Sequence, residues 1–387
     1  MAREFSRLLY RLACPILMAV LVPALINGAA AADSQPSAEE EGFRVAKPGY
    51  MFEFPRDHGS HDEFRTEWWY YTGHLLTEDG RRFGFQVTFF RRALGADQLK
   101  TLPSRWAIRH LYLAHFAVSD VDGKRFHYAE RISREGLGKA GADTGRLHVW
   151  TDRWTAEAAK DEPLNHRLSA EQDGVAVELT LHPLKPPVVH GRAGVSRKGE
   201  EVGQASHYYS LTRLATKGRL MIDGETFQVT GTSWMDHEFG SADLSADLVG
   251  WDWFSLQLQD GSDVMIYQLR RADGSLDRAS SGTIVYPDGR AEPLSPGEMD
   301  VTVRAHWTSP SSGARYPAGW KVASSLLQLD IDVTPLMADQ ELVTRRSTQV
   351  TYWEGAVQIS GTARGQAVTG QGYVELTGYA ERFTERL

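Results

Sequence analysis

Cysteine is almost missing from this chain: Cys14 is the only one in 387 residues. It lies inside an apolar N-terminal run, before most of it, whereas a lipoprotein's cysteine follows such a run. A chain shortened past this point has no disulfide, thiolate metal site or cysteine nucleophile. Basic runs are also lacking. Lys and Arg number 42 against 50 Asp and Glu, a formal net charge of −8, and no basic patch or domain gives a nucleic-acid footprint. Helical signals are few and short, chiefly "RWTAEAAKD" at Arg153–Asp161. No Gly-rich phosphate loop or dinucleotide fingerprint opens a helix, and "GQGYVELTGY" reads as a strand. The segment "GTSWM" begins like a hydrolase elbow but puts Met235 where the elbow needs glycine, which leaves Ser233 as a turn residue.

What the N-terminus does have is an ordered set of features. Arg3, Arg7 and Arg11 precede the apolar run "LACPILMAVLVPALI", and the small-residue stretch "NGAAAAD" follows. That order is a secretory signal peptide, assigned to residues 1–32 with cleavage near Ala31 or Ala32. Pro15, Pro23 and the shortness of the run argue against a retained membrane span. Cleavage removes three arginines and Glu4, so the remaining chain carries −10. The expected location is periplasmic or secreted. Residues 33–45, opening on the polar "DSQPSAEEEG", form a flexible lead-in.

Strand signals dominate the rest. "FGFQVTFF" alternates Phe83, Phe85, Val87 and Phe89 with Gly84, Gln86 and Thr88; "VAVELTLHPL" repeats the pattern from Val175. Period two with turns such as "EDGR", "VDGK" and "PDGR" predicts antiparallel hairpins and an all-β fold with few short helices. A faint repeat links Trp69–Arg92 to Trp253–Arg271: an aromatic entry, a strand, an Asp-Gly turn, a second strand and a closing Arg-Arg. Two β-barrel domains are therefore expected, at 46–232 and 233–387. Barrels of about eight strands leave an interior suited to a small apolar ligand.

Two segments carry the chemistry. "EWWYYTGHL" sets Trp68, Trp69, Tyr70 and Tyr71 in succession, so neither face of that strand is ordinary wet surface. One pair belongs to core and the other to a ligand site or a domain interface. "WMDHEF", followed by Trp251 and Trp253, is the densest polar-in-aromatic cluster. Extended, it sends Trp234, Asp236 and Glu238 to one side and Met235, His237 and Phe239 to the other. Two carboxylates beside an apolar wall raise the pKa of one, giving a neutral acid near neutral pH. The structural alternative pairs these acids with Arg91 and Arg92 to hold two domains together.

Together "FPRDHGSHDEFRTEWWYYTGHL", "FGFQVTFFRRAL", "LAHFAVSD", "GTSWMDHEFGS" and "GWDWFSLQLQDG" resemble the AttH and carotenoid 1,2-hydratase family, across nearly the whole chain past the leader. The resemblance implies two lipocalin-like antiparallel β-barrel domains and an apolar cavity. It further implies Asp236 as proton donor, with His237 and Glu238 beside it in the form of the AttH branch. The aromatic lining would be Trp68, Trp69, Tyr70, Tyr71, Trp234, Trp251 and Trp253. No cofactor is expected. The partner is a hydrophobic small molecule, a lipid or isoprenoid, with an ABC transporter permease as the implied export link.

Three functional readings follow. The first is an exported AttH-like protein binding a long apolar ligand. The second is an acid-catalysed hydratase using Asp236, a hydro-lyase acting on an isoprenoid-like double bond. The third is a metal-dependent hydrolase built on His58, His61, Asp62, Glu63 and His237. That spacing is not the helical H-E-x-x-H pattern, so no metal is assigned and capping histidines are the plain alternative.

Overall fold

The computed structural model describes residues 42–94, 109–200 and 203–383. The signal peptide and most of the lead-in lie outside them. Among the described residues the chain is all-β, its one helical element being a 3-10 turn at Arg56–His58. The first sheet begins with β1 (Thr66–Leu76), β2 (Arg82–Ala93), β3 (His110–Asp120) and β4 (Arg125–Arg134). It continues through β5 (Ala140–Ala142), β6 (His148–Thr151), β7 (Trp154–Ala158), β8 (His166–Gln172) and β9 (Val175–Pro183). Two short strands, β10 (Val188–Val189) and β11 (Ser196–Arg197), lead to the long β12 (Ala205–Ile222) and β13 (Glu225–Gly240). The expected helical segment at Arg153–Asp161 is instead β7, where Trp154 and Ala156 face the core and pairing with β6 and β8 overrides local helix propensity.

The second sheet takes β14 (Leu248–Leu258), β15 (Asp263–Arg271), β16 (Ser281–Val285), β17 (Ala291–Leu294) and β18 (Asp300–Val303). After a separate hairpin of β19 (His306–Thr308) and β20 (Arg315–Pro317) come β21 (Trp320–Ser324), β22 (Leu329–Pro335) and β23 (Glu341–Thr344). The long pair β24 (Val350–Ala363) and β25 (Gln366–Leu376) completes it.

Both sheets share one plan. A four-stranded meander runs β1 to β4 in one and β14 to β17 in the other, and the first strand pairs with the last: β1 with β13, β14 with β25. The repeat seen in sequence is the hairpin β1–β2 and its counterpart β14–β15, which hold the same place in each sheet. The first sheet curls until β4 returns against β5 and β6, a nearly closed barrel. The division expected at 232/233 falls within β13, which pairs along its length with β12; the change of sheet comes between Gly240 and Leu248. Ser233 is likewise a strand residue, its hydroxyl 2.6 Å from that of Thr216.

Each barrel has its own filled interior. Trp69, Tyr71, Phe83, Phe85, Val87 and Phe89 pack inside the first, with Trp154 and Leu168 from the far strands. Phe254, Leu256, Ile266, Trp320, Val322 and Trp353 pack inside the second. A third cluster, including Tyr70, Tyr208, Trp234, Trp253 and Tyr373, lies where the outer faces of the two sheets meet. Polar ties cross this seam: Lys185 and Arg213 both reach Asp263 at 2.6 Å, and His115 Nδ1 lies 2.7 Å from the Tyr352 hydroxyl.

Candidate functional site

Strand alternation divides the aromatic run cleanly. Trp69 and Tyr71 point into the first barrel, where the indole N–H of Trp69 donates to the His58 carbonyl at 3.0 Å and the Tyr71 hydroxyl meets His166 Nδ1 at 3.0 Å. Trp68 and Tyr70 point the other way and line a cavity of about 190 Å³ at the seam. The cavity expected inside a barrel is found between the barrels instead, because core side chains fill the interiors. The second sheet contributes Trp251, Trp253 and Tyr267. Trp234 is buried beside the cavity, edge-on to Trp253 at 6.1 Å between ring centroids.

Asp236 stands directly opposite Tyr70 in the β1–β13 ladder and faces this cavity. Its Oδ1 accepts hydrogen bonds from Tyr208 Oη at 3.0 Å, Trp234 Nε1 at 2.9 Å and the Ser210 hydroxyl. Among the described residues nothing bonds Oδ2. Burial outweighs the three donors and pushes the Asp236 carboxyl up to about 7, with the Glu238 charge adding to the rise. When protonated, the acid carries its proton on Oδ2, since Oδ1 is fully engaged as acceptor. Glu238 also faces the cavity but is held by Lys198 at 2.8 Å and by the Ser206 hydroxyl. Arg91 and Arg92 do not pair with either acid. Arg91 binds Glu67 at 3.0 Å, and Arg92 reaches Thr66 and Asp243 at 3.0 and 3.6 Å.

His237 faces away from the cavity, because adjacent strand residues point to opposite faces. It stacks on Trp69 at 4.8 Å, and its Nε2 lies 2.8 Å from Glu67 Oε1. His237 is thus separated from the Asp236 chemistry by the sheet itself. Of the imagined metal set, only His61 and His237 come together, joined by Glu67, with ligand atoms within 4.8 Å of one another. His58 binds the Tyr209 hydroxyl at 2.6 Å, Asp62 is exposed and takes a bond from Ser60, and Glu63 pairs with Arg44 at 3.2 Å. Around Glu67 every potential ligand atom is already committed. His61 Nδ1 donates to it at 2.8 Å while His61 Nε2 turns to Asp57 at 3.4 Å. Burial disfavours a charged His61, yet Glu67 and Asp57 outweigh that and raise it to about 9. An imidazolium donating from both nitrogens makes this a buried ion-pair network rather than a ready cation site.

Among the polar residues that escape the sequence reading are Ser210, which bonds Asp236 from beside the cavity, and Tyr208, Glu354 and Glu375, which line it. The signal for the last two was an acid in an otherwise apolar strand, "YWEGAV" and "GYVEL", where both faces are buried. Tyr208 and Ser210 had only the aromatic run "SHYYS" to mark them.

The AttH-like family model matches residues 45–379. The chain belongs to the AttH-like family. Among solved structures, this AttH-like chain is similar to a Nitrosomonas europaea protein assigned to AttH, with 37% identity, 87% of this chain and 99% of that one covered, and a TM-score of 0.78. A kievitone hydratase from Nectria haematococca shares the fold at 17% identity, covering 88% and 98% of the two chains with a TM-score of 0.65. In sequence, the kievitone hydratase of Fusarium solani subsp. phaseoli is 22% identical over 68% of this AttH-like chain and 73% of its own length.

Proposed function

We propose that this protein binds an apolar, alkene-bearing ligand, of isoprenoid or similar character, at the seam between its barrels and adds water to it or removes water from it. The observation that carries the reading is the Asp236 carboxyl, buried in an aromatic cavity with one oxygen saturated by three donors and the other left for a ligand. A carboxylic acid kept neutral near pH 7 can protonate a double bond. The cation so formed is stabilised by facing aromatic rings, each by roughly 0.5–2 kcal/mol; Trp68, Trp251 and Trp253 offer such faces. The distant kievitone hydratase relationship agrees with hydration chemistry.

The reading includes export, resting on the charged, apolar and Ala-rich order of the first 32 residues and on the lack of cysteine beyond Cys14. It also keeps the link to an ABC-type export system as the context in which an apolar ligand would be delivered or removed.

The test is turnover of two probes, kievitone and geranylgeraniol, in ¹⁸O-labelled water with mass-spectrometric detection. The wild type should incorporate label, and Asp236→Asn should reduce incorporation by about 100-fold or more. Equal incorporation by the variant would remove Asp236 from its assigned role.

A further inference from the structure

Opposite Asp236, the second sheet brings two acids to the same cavity. Glu354 on β24 and Glu375 on β25 are direct cross-strand partners, Glu354 buried and Glu375 nearly so, and both line the space. Like charges directly opposed in an antiparallel pair repel, and burial deepens the cost, so two ionised carboxylates are not stable side by side. Among the described residues neither acid has an ion-pair partner; the nearby cation Lys198 is held by Glu238. Glu375 Oε2 accepts from the Trp251 indole at 3.1 Å. Glu354 Oε1, the Tyr70 hydroxyl and Gln86 Oε1 are buried at the cavity wall without a well-formed hydrogen bond, the Tyr70 hydroxyl being the donor nearest Glu354 and the Tyr352 hydroxyl lying near Gln86. Incompletely satisfied buried polar atoms grouped at one cavity mark the place of a ligand hydroxyl or a reacting water.

The arrangement repeats across the seam. In the first sheet the last strand sets Asp236 opposite Tyr70 of the first strand; in the second, it sets Glu375 opposite Trp253. Each half of the molecule thus offers an acid beside an aromatic ring to one shared space.

We propose that Glu354 and Glu375 hold one proton between them and, as a monoanion, accept the proton that water releases as it adds to the ligand's double bond. This rests on the reading of Asp236 as the acid. In the addition the Asp236 O–H bond breaks, the alkene π pair forms the new C–H bond, and water attacks the resulting cation through oxygen. The proton lost from that oxygen goes to the Glu354–Glu375 pair. Transfer of one proton from the pair through solvent to Asp236 restores the starting state, so one water is consumed and no oxidant is required. In the reverse direction the same pair donates to the leaving hydroxyl.

The titratable and charged groups around the same cavity are Tyr70 from β1, Arg91 and Arg92 from β2, His115 from β3, Lys198 and Tyr208 at and before β12, Asp236 and Glu238 from β13, Tyr267 from β15 and Tyr352 on β24, with Tyr373 of β25 beside Glu354. Burial raises Glu354 well above the carboxylate range, with the Glu375 charge next in effect, and burial lifts Glu375 to about 7. Both shifts agree with a pair that keeps a proton at neutral pH.

Two measurements on the full chain test this. Carbon-13 NMR of protein labelled at the glutamate carboxyl carbons, titrated without ligand, should show the pair losing protons in two separated steps. Glu354→Gln or Glu375→Gln should collapse them to one. With kievitone and geranylgeraniol, the double variant should lose label incorporation about 100-fold or more while binding retinol, followed by tryptophan quenching, within threefold of wild type. If the double variant turns over normally while Asp236→Asn is inactive, the proposal falls and the reading of Asp236 stands. If the wild type turns over neither probe, that reading fails; independent single-step titration of both glutamates in the ordinary range would then overturn the shared proton too.

Discussion

Asp236 and His237 are adjacent in sequence and serve opposite sides of one sheet: the first faces the seam cavity, the second lies 2.8 Å from Glu67 inside the first barrel. Substitutions at the two positions should separate accordingly. His237→Gln should lower unfolding free energy by about 1–3 kcal/mol, the cost of leaving buried partners unsatisfied, and leave probe turnover within a few fold. Asp236→Asn should do the opposite. Urea denaturation read beside label incorporation distinguishes them, and a His237 variant that is stable but inactive would contradict the assignment.

The same alternation governs the tryptophans. Trp69 is 1% exposed and packs inside the first barrel, so Trp69→Ala should cost about 3–5 kcal/mol of stability. Trp68 lines the cavity, and Trp68→Ala should leave unfolding within about 1 kcal/mol while weakening retinol quenching about tenfold. Reversal of the two effects would mean that the strand is turned over.

The donors on Asp236 Oδ1 stabilise its ionised form. Removing one with Tyr208→Phe should move the acid further upward from about 7, by roughly one unit, equivalent to ~1.4 kcal/mol. The alkaline limb of the turnover profile should shift in the same direction, since the active form is protonated. A downward shift in the pH profile would contradict the donor geometry.

Stability should peak between about pH 6.5 and 7. Burial lowers His74 to about 4 and His115, His166 and His190 to about 3, while in the unfolded chain each takes a proton near 6.5. Depressed groups of this kind lose their contribution as pH falls below 6.5, and with His58, His110, His127, His207 and His237 also lowered they outnumber the raised acids that act the other way. On the alkaline side His61, raised to about 9, loses its contribution as pH rises from 6.5 through 9; Asp236 and Glu375, raised to about 7, lose theirs between the ordinary carboxylate range and 7 and so blunt the acid limb. Thermal melts from pH 4.5 to 9 check the shape, and His115→Gln should flatten the acid limb.

Local pattern carried much of this fold. The alternation Phe83, Phe85, Val87, Phe89 and the paired hairpins Trp69–Arg92 and Trp253–Arg271 were readable because period two is imposed residue by residue. The placing of Asp236 on a strand, on the same face as Trp234 two residues before it, was readable for the same reason. The seam cavity was not, because which face of a curled sheet meets a second sheet depends on contacts between strands far apart in the chain, such as Tyr208 with the Trp253 indole, 45 residues on, or Tyr70 near Glu354. Helical composition at Arg153–Asp161 misled because β6 and β8 impose strand pairing that no nine-residue window contains.

The shared strand plan has a further consequence for how a ligand enters. A lipocalin-type cup must admit its guest through a rim, and its capacity is fixed by the circumference of one barrel. Here both barrels are filled, and the cavity lies between their outer walls, each wall contributing its own acids and its own rings. On the reading proposed above, a ligand reaches this cavity past cross-seam ties such as Lys185–Asp263 and His115–Tyr352 and not through a barrel rim. On that reading the cross-seam contacts, and not the circumference of either barrel, bound the size of ligand, so substitutions at a handful of them would retune it while both barrels stay unchanged.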